Sequence, residues 1–552
     1  MSSTMPPTGP PTGGAEYLEH GGGAPLGPGQ PRSRNLRPVL MGGAVVAALA
    51  VAGGAAWAAM SFLSTGAQPA EALPASTLGY VSIDLDPDGA QKIEAVRTLN
   101  KFPAFKAELG LDTDDDLRRA IFDEIQKDEN CANLDYEGDI EPWLGNRAAF
   151  AAIDLGEDTP AVAVVVQVTD SDAATDGLTQ LTNCADTGDA DVQSSEKSQT
   201  GGFAVSGDWA VIAETDEIAQ RLSAAAAEDT LADDEDFQTW TERAGDPGIV
   251  SMYAAAEAAS VFFDSVDGLL PMAGLDPARE GSSQDPTEQM EKAFEGFEGM
   301  AATLRFDDGA IEFETAGGFG LQNTSFYATD RGDDVMSTLP ADTAAAFGMG
   351  FEDGWLTQLA EQLSAAAGED MTVEEMFAEL SAQTGLDLPV DAETLLGESA
   401  VVAVGSDFDA EQLMSSADGS DVPVGIKVKG DPGAIEAVLD KVRGQMGPEE
   451  AAFLEADAGD DMIAIGPNAD YRGELLAGGT LGESDTFRDV IREAEQAGVI
   501  FYLDFDAGDD WLTTLAGDDP EAADNLAPLS AVGVSAWSED GIAHGVLRVT
   551  TD

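Results

Sequence analysis

Asp84, Asp86, Asp88 and Gly89, in the stretch SIDLDPDGAQKIEA from Ser82 to Ala95, stand at the spacing that opens a calcium-binding EF-hand loop. Such a loop closes with a bidentate glutamate at its twelfth position. Counted from Asp84 that position is Ala95, Glu94 falls one residue short, and Pro87 takes the fourth place. A strand leading into a helix accounts for more of the stretch. Val81, Ile83 and Leu85 alternate with Ser82, Asp84 and Asp86, as on a strand with one buried face. Asp86 then caps a helix that begins at Pro87 and turns Ile93, Val96 and Leu99 inward. No residue here is assigned to a metal.

Catalytic constellations are equally sparse. His20 lies in a Pro/Gly-rich tail, so any histidine-dependent triad of the later chain has to use His544, and no G-x-S-x-G elbow accompanies it. His544, in GIAHGVLRV, reads as a strand residue. Ser194 to Lys197 formally contains S-x-x-K, in a polar loop without partner motifs. No phosphate-binding or dinucleotide fingerprint occurs after residue 66. Carboxylates are too numerous to single out a glycosidase pair. Trp143, Trp209 and Trp240 are expected as core or sheet-edge residues, with a sugar platform as the alternative. The sequence therefore assigns no catalytic, cofactor-binding or metal-ligating residue, implies no cofactor, and leans away from an enzyme.

The elements that would position any site can be read from composition and pattern. The 552 residues include 104 acidic and 26 basic ones, for a formal net charge of −78. That charge repels nucleic acid and excludes it as a partner. It fits a solvated, salt-adapted surface, with cation binding as the other reading. Hydrophobic residues make up 43% of the chain, enough for two to four domains with real cores.

Val39 to Leu63 carry no charge, and none follows until Glu71. A helix over that stretch spans ~37 Å, enough to cross a bilayer, and it exceeds the ~7–15 apolar residues of a cleaved signal peptide. Arg32, Arg34 and Arg37 precede it and the next basic residue is Lys92, which places the N-terminus in the cytoplasm and the rest outside. The expected partner of residues 39–63 is the lipid bilayer, and the expected location is the cell membrane, single-pass. Residues 1–37 read as a disordered tail, 38–63 as the transmembrane helix and 64–72 as a linker. Cys131 and Cys184, both beyond the anchor, are expected to form a disulfide worth ~4 kcal/mol, with two free thiols as the alternative.

The remainder repeats itself once, as copy one (73–330) and copy two (331–552). LPASTLGYVSIDLD from Leu73 matches LPADTAAAFGMGFED from Leu339, and DIEPWLGNRAAFAAI from Asp139 matches DAETLLGESAVVAVG from Asp391. Asp-Gly hairpins close both copies. Each copy reads as strands alternating with helices but also arriving as hairpins. The predicted fold is α+β, with mixed, mostly antiparallel sheets, packed helices and an internal duplication, preceded by one transmembrane helix. Whether the copies form one sheet or two domains stays open.

The anchor, LPASTLGYVSIDLDP, KFP at Lys101 to Pro103 and DIEPWLGNRAAFA together resemble an actinobacterial family of membrane-anchored proteins classed as a domain of unknown function. The resemblance implies a place in the cell and no activity. The functional expectation is a binding or structural envelope component that meets another envelope component outside the membrane. A metal-assisted hydrolase using clustered carboxylates is the alternative, and ligand binding in a cleft between the copies is a third reading.

Overall fold

The short apolar runs become sixteen strands in the computed structural model, and all sixteen join one sheet. The structure describes residues 68–84, 90–108, 134–157, 159–185, 201–259, 296–318, 327–367, 372–407, 419–508 and 519–552, with 118, 119 and 122. The first half holds β1 (Thr77–Asp84), β2 (Leu144–Ile153), β3 (Ala161–Val168), β4 (Gly202–Ser206), β5 (Trp209–Ala213), β6 (Val250–Ala255), β7 (Gly299–Asp307) and β8 (Ala310–Gly318). The second holds β9 (Thr343–Gly350), β10 (Ser399–Gly405), β11 (Val424–Lys429), β12 (Ala456–Ala458), β13 (Met462–Ile465), β14 (Val499–Asp504), β15 (Leu529–Glu539) and β16 (Ile542–Thr551).

Across the sheet the order is β4-β5-β3-β2-β1-β6-β7-β8, then β16-β15-β14-β9-β10-β11-β13-β12. Adding eight to each label of the first half reproduces the second, read outward from the seam. The fold is thus α+β with one large antiparallel sheet, which the two halves of the chain share.

The seam is the β8–β16 pair, whose register sets Glu314 opposite Val546. Both strands leave Asp-Gly turns with positive φ at both residues: 50° and 81° at Asp308 and Gly309, 51° and 83° at Asp540 and Gly541. That is the turn whose twist suits a two-residue hairpin. Glu314 and Val546 stand equally far from their turns, so the strands meet about a local two-fold axis.

Local bonds also recur. Thr77 Oγ1 donates to the Pro74 carbonyl at 2.7 Å and Thr343 Oγ1 to that of Pro340 at 2.8 Å. The Leu231 amide reaches the Leu73 carbonyl at 2.8 Å, as Leu481 reaches Leu339 at 3.1 Å. Asp139 accepts from the Asp135 amide at 2.9 Å and Asp391 from that of Asp387 at 2.7 Å.

Helices cover one face almost throughout. Over the first half lie α3 (Asp216–Ala226) and α4 (Glu235–Arg243), if α1 (Ala90–Leu99) and α2 (Ser171–Ala185) are counted before them. Over the second lie α5 (Asp333–Met336), α7 (Ala469–Ala477) and α8 (Asp485–Val490), with α6 (Pro432–Arg443) on the reverse side. The N-terminal caps of α4 and α8 match: Asp234 accepts from the Phe237 amide at 2.8 Å, and Ser484 from that of Phe487 at 3.1 Å. Each capped helix then sets its phenylalanine against a tyrosine of the sheet, Phe237 on Tyr253 at 5.1 Å and Phe487 on Tyr502 at 5.4 Å. Burying such a ring stabilises by ~2 kcal/mol.

Two sequence expectations need correction here. On β1, Tyr80 and Asp84, 4% and 9% exposed, lie on the face of α3 and α4; on the face expected to be buried Ile83 does pack, under α1, but Val81 is 39% exposed. Both parities of this strand are apolar, so alternation does not identify the covered side. In α1, Val96 and Leu99 are buried as expected but Ile93 points outward at 45% exposure.

Candidate functional site

Asp84 closes β1 opposite Arg147, which approaches it to 3.7 Å. Asp86, Asp88 and Gly89 lie outside the described residues, as do Ser194 to Lys197, Cys131 and the segment 39–63. Cys184 falls in the last turn of α2. Among the described residues no helix is long and apolar enough to cross a membrane, and no three metal-binding side chains gather. Trp143, Trp209 and Trp240 are buried. The Trp143 indole donates to the Asp139 carbonyl at 2.6 Å and that of Trp240 to the Glu298 carbonyl at 3.2 Å.

His544 faces Trp537 across the β15–β16 hairpin and stacks on it, ring centroids 5.2 Å apart and 8° from parallel. Burial, with Arg243 nearby, holds its imidazole below the usual histidine range. The same hairpin positions in the first half carry Arg305 and Glu312, whose Nε and Oε1 are 2.7 Å apart. Glu312 also accepts from Arg548 of β16 and, at 3.3 Å, from Arg492 just after α8. Arg548 and Arg492 both reach Asp307, at 3.0 and 2.8 Å, and Arg305 pairs with Glu314 beside the local axis. Burial works against the Glu312 charge, but Arg305 and Arg548 outweigh it and hold its carboxyl below the usual range. This cluster fastens the halves together.

Two polar features sit under the second half's helices. Lys427 on β11 is 1% exposed and donates to the Thr338 carbonyl at 3.1 Å and hydroxyl at 2.8 Å. Burial lowers its ammonium to about 8. Beside Thr338, a groove of about 430 Å³ is lined by Asp333, Ser337, Thr480, Glu483, Phe487 and Arg488, among others. Burial, and then Asp334 and Glu495, push the Asp333 carboxyl up to about 6. Its Oδ1 is buried with no hydrogen-bond partner. The groove offers a protonatable carboxyl beside the Ser337 hydroxyl and an apolar wall.

The largest feature lies on the reverse face. Leu547, Val534, Phe501, Phe347 and Val402 stand side by side across β16, β15, β14, β9 and β10. Phe347 and Val402 are each 44% exposed and Leu547 is 38% exposed. The rows two residues to either side contain only Gly, Ala, Val, Leu and Met, none of them buried. Contiguous apolar surface of this kind marks interaction sites on soluble domains. The first half carries a smaller counterpart at the equivalent places, Phe150 beside Val81.

Sequence reasoning missed Phe347, Val402, Lys427 and Asp333. For the open face a signal existed. TAAAFGMG, SAVVAVG and VIFYLD are apolar at both parities, whereas an antiparallel strand with one wet face alternates. Lys427 and Asp333 left no such trace, because one charge among many is defined only by what packs around it.

Residues 40–416, more than half of the chain, match the model of a family described as protein of unknown function (DUF3352). No curated protein matches the chain.

Proposed function

The chain belongs to the DUF3352 family, whose description assigns no activity, and on that premise we propose that it is a binding component of the cell envelope, held by residues 39–63 and presenting its open sheet face to a partner. The observation that carries the reading is the uncovered apolar row from Leu547 to Val402. The uncharged stretch 39–63, with its preceding arginines, supports a membrane anchor with the folded part outside. We read the repeated strand order and the recurring bonds as the trace of a duplicated unit. One copy keeps its reverse face largely under helices, while the other is covered by α6 at β11 and β13 and leaves the row from β16 to β10 open.

Photo-crosslinking in intact cells tests the reading. A photoreactive residue at position 347 should give a discrete adduct that the same residue at Glu217, exposed on α3, does not. The same adducts from both positions, or none from 347, would overturn it. Protease added to protoplasts should cleave the folded part and spare an N-terminal epitope.

A further inference from the structure

The open row has dimensions and surroundings that define what fits it. Five neighbouring strands spaced ~4.8 Å apart give it a length of ~19 Å, which matches about thirteen residues of helix. Its backbone groups are paired within the sheet, and its side chains offer no polar atom. The part of an occupant that rests on the row is therefore apolar.

Carboxylates flank the row along both sides, at the ends of the strands that cross it. Glu352, Asp353 and Glu539 stand exposed where β9 and β15 finish, and Asp407, Asp506 and Asp552 stand exposed beyond the ends of β10, β14 and β16. The chain as a whole carries −78. A second copy brings the same charge, and an anionic lipid surface is repelled for the same reason.

We propose that this face seats a cationic amphipathic helical segment of a partner protein, with its apolar stripe on the Leu547–Val402 row and its lysines or arginines over the acidic rims. The proposal rests on the binding reading above and specifies its partner. Recognition of this kind lays an amphipathic helix on an apolar groove and reads charge at the margins.

The test uses the full-length chain in phosphatidylcholine nanodiscs and a fluorescent Leu/Lys amphipathic peptide of about fourteen residues. Its controls are a sequence-scrambled peptide, a Leu/Glu counterpart and the neutral dye Nile red. The Leu/Lys peptide should bind at least about tenfold more tightly than the scramble. Phe347→Glu and Val402→Glu should each weaken it by a similar factor, even though both add negative charge. If the scramble binds equally well, or the variants change nothing, the binding is adsorption to net charge and the proposal falls. Equal binding of the Leu/Glu peptide through Phe347 overturns the cationic partner while leaving a binding face. If neither peptides nor Nile red respond to either variant, both readings fail together. Circular dichroism checks folding, with Phe347→Ser and Val402→Ser as replacements for any variant that misfolds.

Discussion

The two halves of the sheet differ most where they are built most alike. On the reverse face of the first half, Ile83, Val250, Leu304 and Phe313 form a row under α1, whose Ala95, Val96 and Leu99 pack on it. The equivalent row of the second half is Met349, Val499, Ala536 and Gly545, smaller and only part-buried. The first row buries Val250 and Leu304 and the second buries none of its four residues, although the strands and pairings correspond. The difference teaches that an antiparallel sheet does not fix the use of its second face. The helices inserted between strands decide it.

Comparing equivalent residues gives experiments, beginning with the largest effect. Glu312→Ala should destabilise by ~3–5 kcal/mol, since Arg305 and Arg548 would each lose the more buried of their two carboxylate partners. His544→Ala removes the equivalent residue, part of a half-buried stack, and should cost only ~0.5–1.5 kcal/mol. Denaturant unfolding of both variants decides; equal losses would break the assignment of the seam to the charged cluster.

Lys427 stands where the first half has Val165, since Ile426 and Val164 face the equivalent Val402 and Phe150. Lys427→Met should raise stability at pH 7 by ~1–3 kcal/mol, by removing a charge from an apolar site. The sign follows from the lowered ammonium. Between about 8 and the ordinary lysine value the unfolded chain binds a proton that the folded chain does not, so the native protein gains stability as pH rises through that window. The advantage of the variant should therefore shrink above pH 8, and a constant advantage would contradict it.

Asp333 titrates in the opposite sense. Its folded carboxyl is raised to about 6, so its contribution is favourable below the unfolded aspartate value and is lost as pH climbs through 6. Asp333→Asn should stabilise by ~1–2 kcal/mol at pH 7.5, after allowing for partial solvent screening, and by almost nothing at pH 4. Thermal melts at the two pH values check it. Smallest are the paired caps: Asp234→Ala and Ser484→Ala should each cost ~1 kcal/mol, by the same mechanism in the two halves. A loss confined to one would show that the helices are not anchored alike.

Much of the architecture was legible in the sequence because it is written in local chemistry. Asp308-Gly309 and Asp540-Gly541 demand positive φ and mark the closing hairpins. Leu73-Pro74 and Leu339-Pro340 mark the start of each half. Joining of the halves into one sheet was not legible, since the β8–β16 register depends on pairing across more than two hundred residues. The charged cluster was hidden for a related reason. Arg305 and Glu312 look like ordinary exposed strand residues until Arg548 arrives from the other end of the chain. The open face was half-visible. Doubly apolar strands announce two apolar faces, but the sequence does not say which of them a helix will cover.

The strand order carries a further consequence, for solubility. Two separate eight-stranded sheets would expose four edges, each a row of unpaired amides and carbonyls able to template pairing with another chain. Joining them through β8 and β16 hides the two longest of those edges inside the molecule. What is left at the margins is β4, five residues long, and β12, three residues long. Edges that short give an approaching strand few ladder positions, and the β12 end is followed by Asp460 and Asp461. A sheet this wide and this apolar on one side is thereby guarded at its rims against growing into an aggregate.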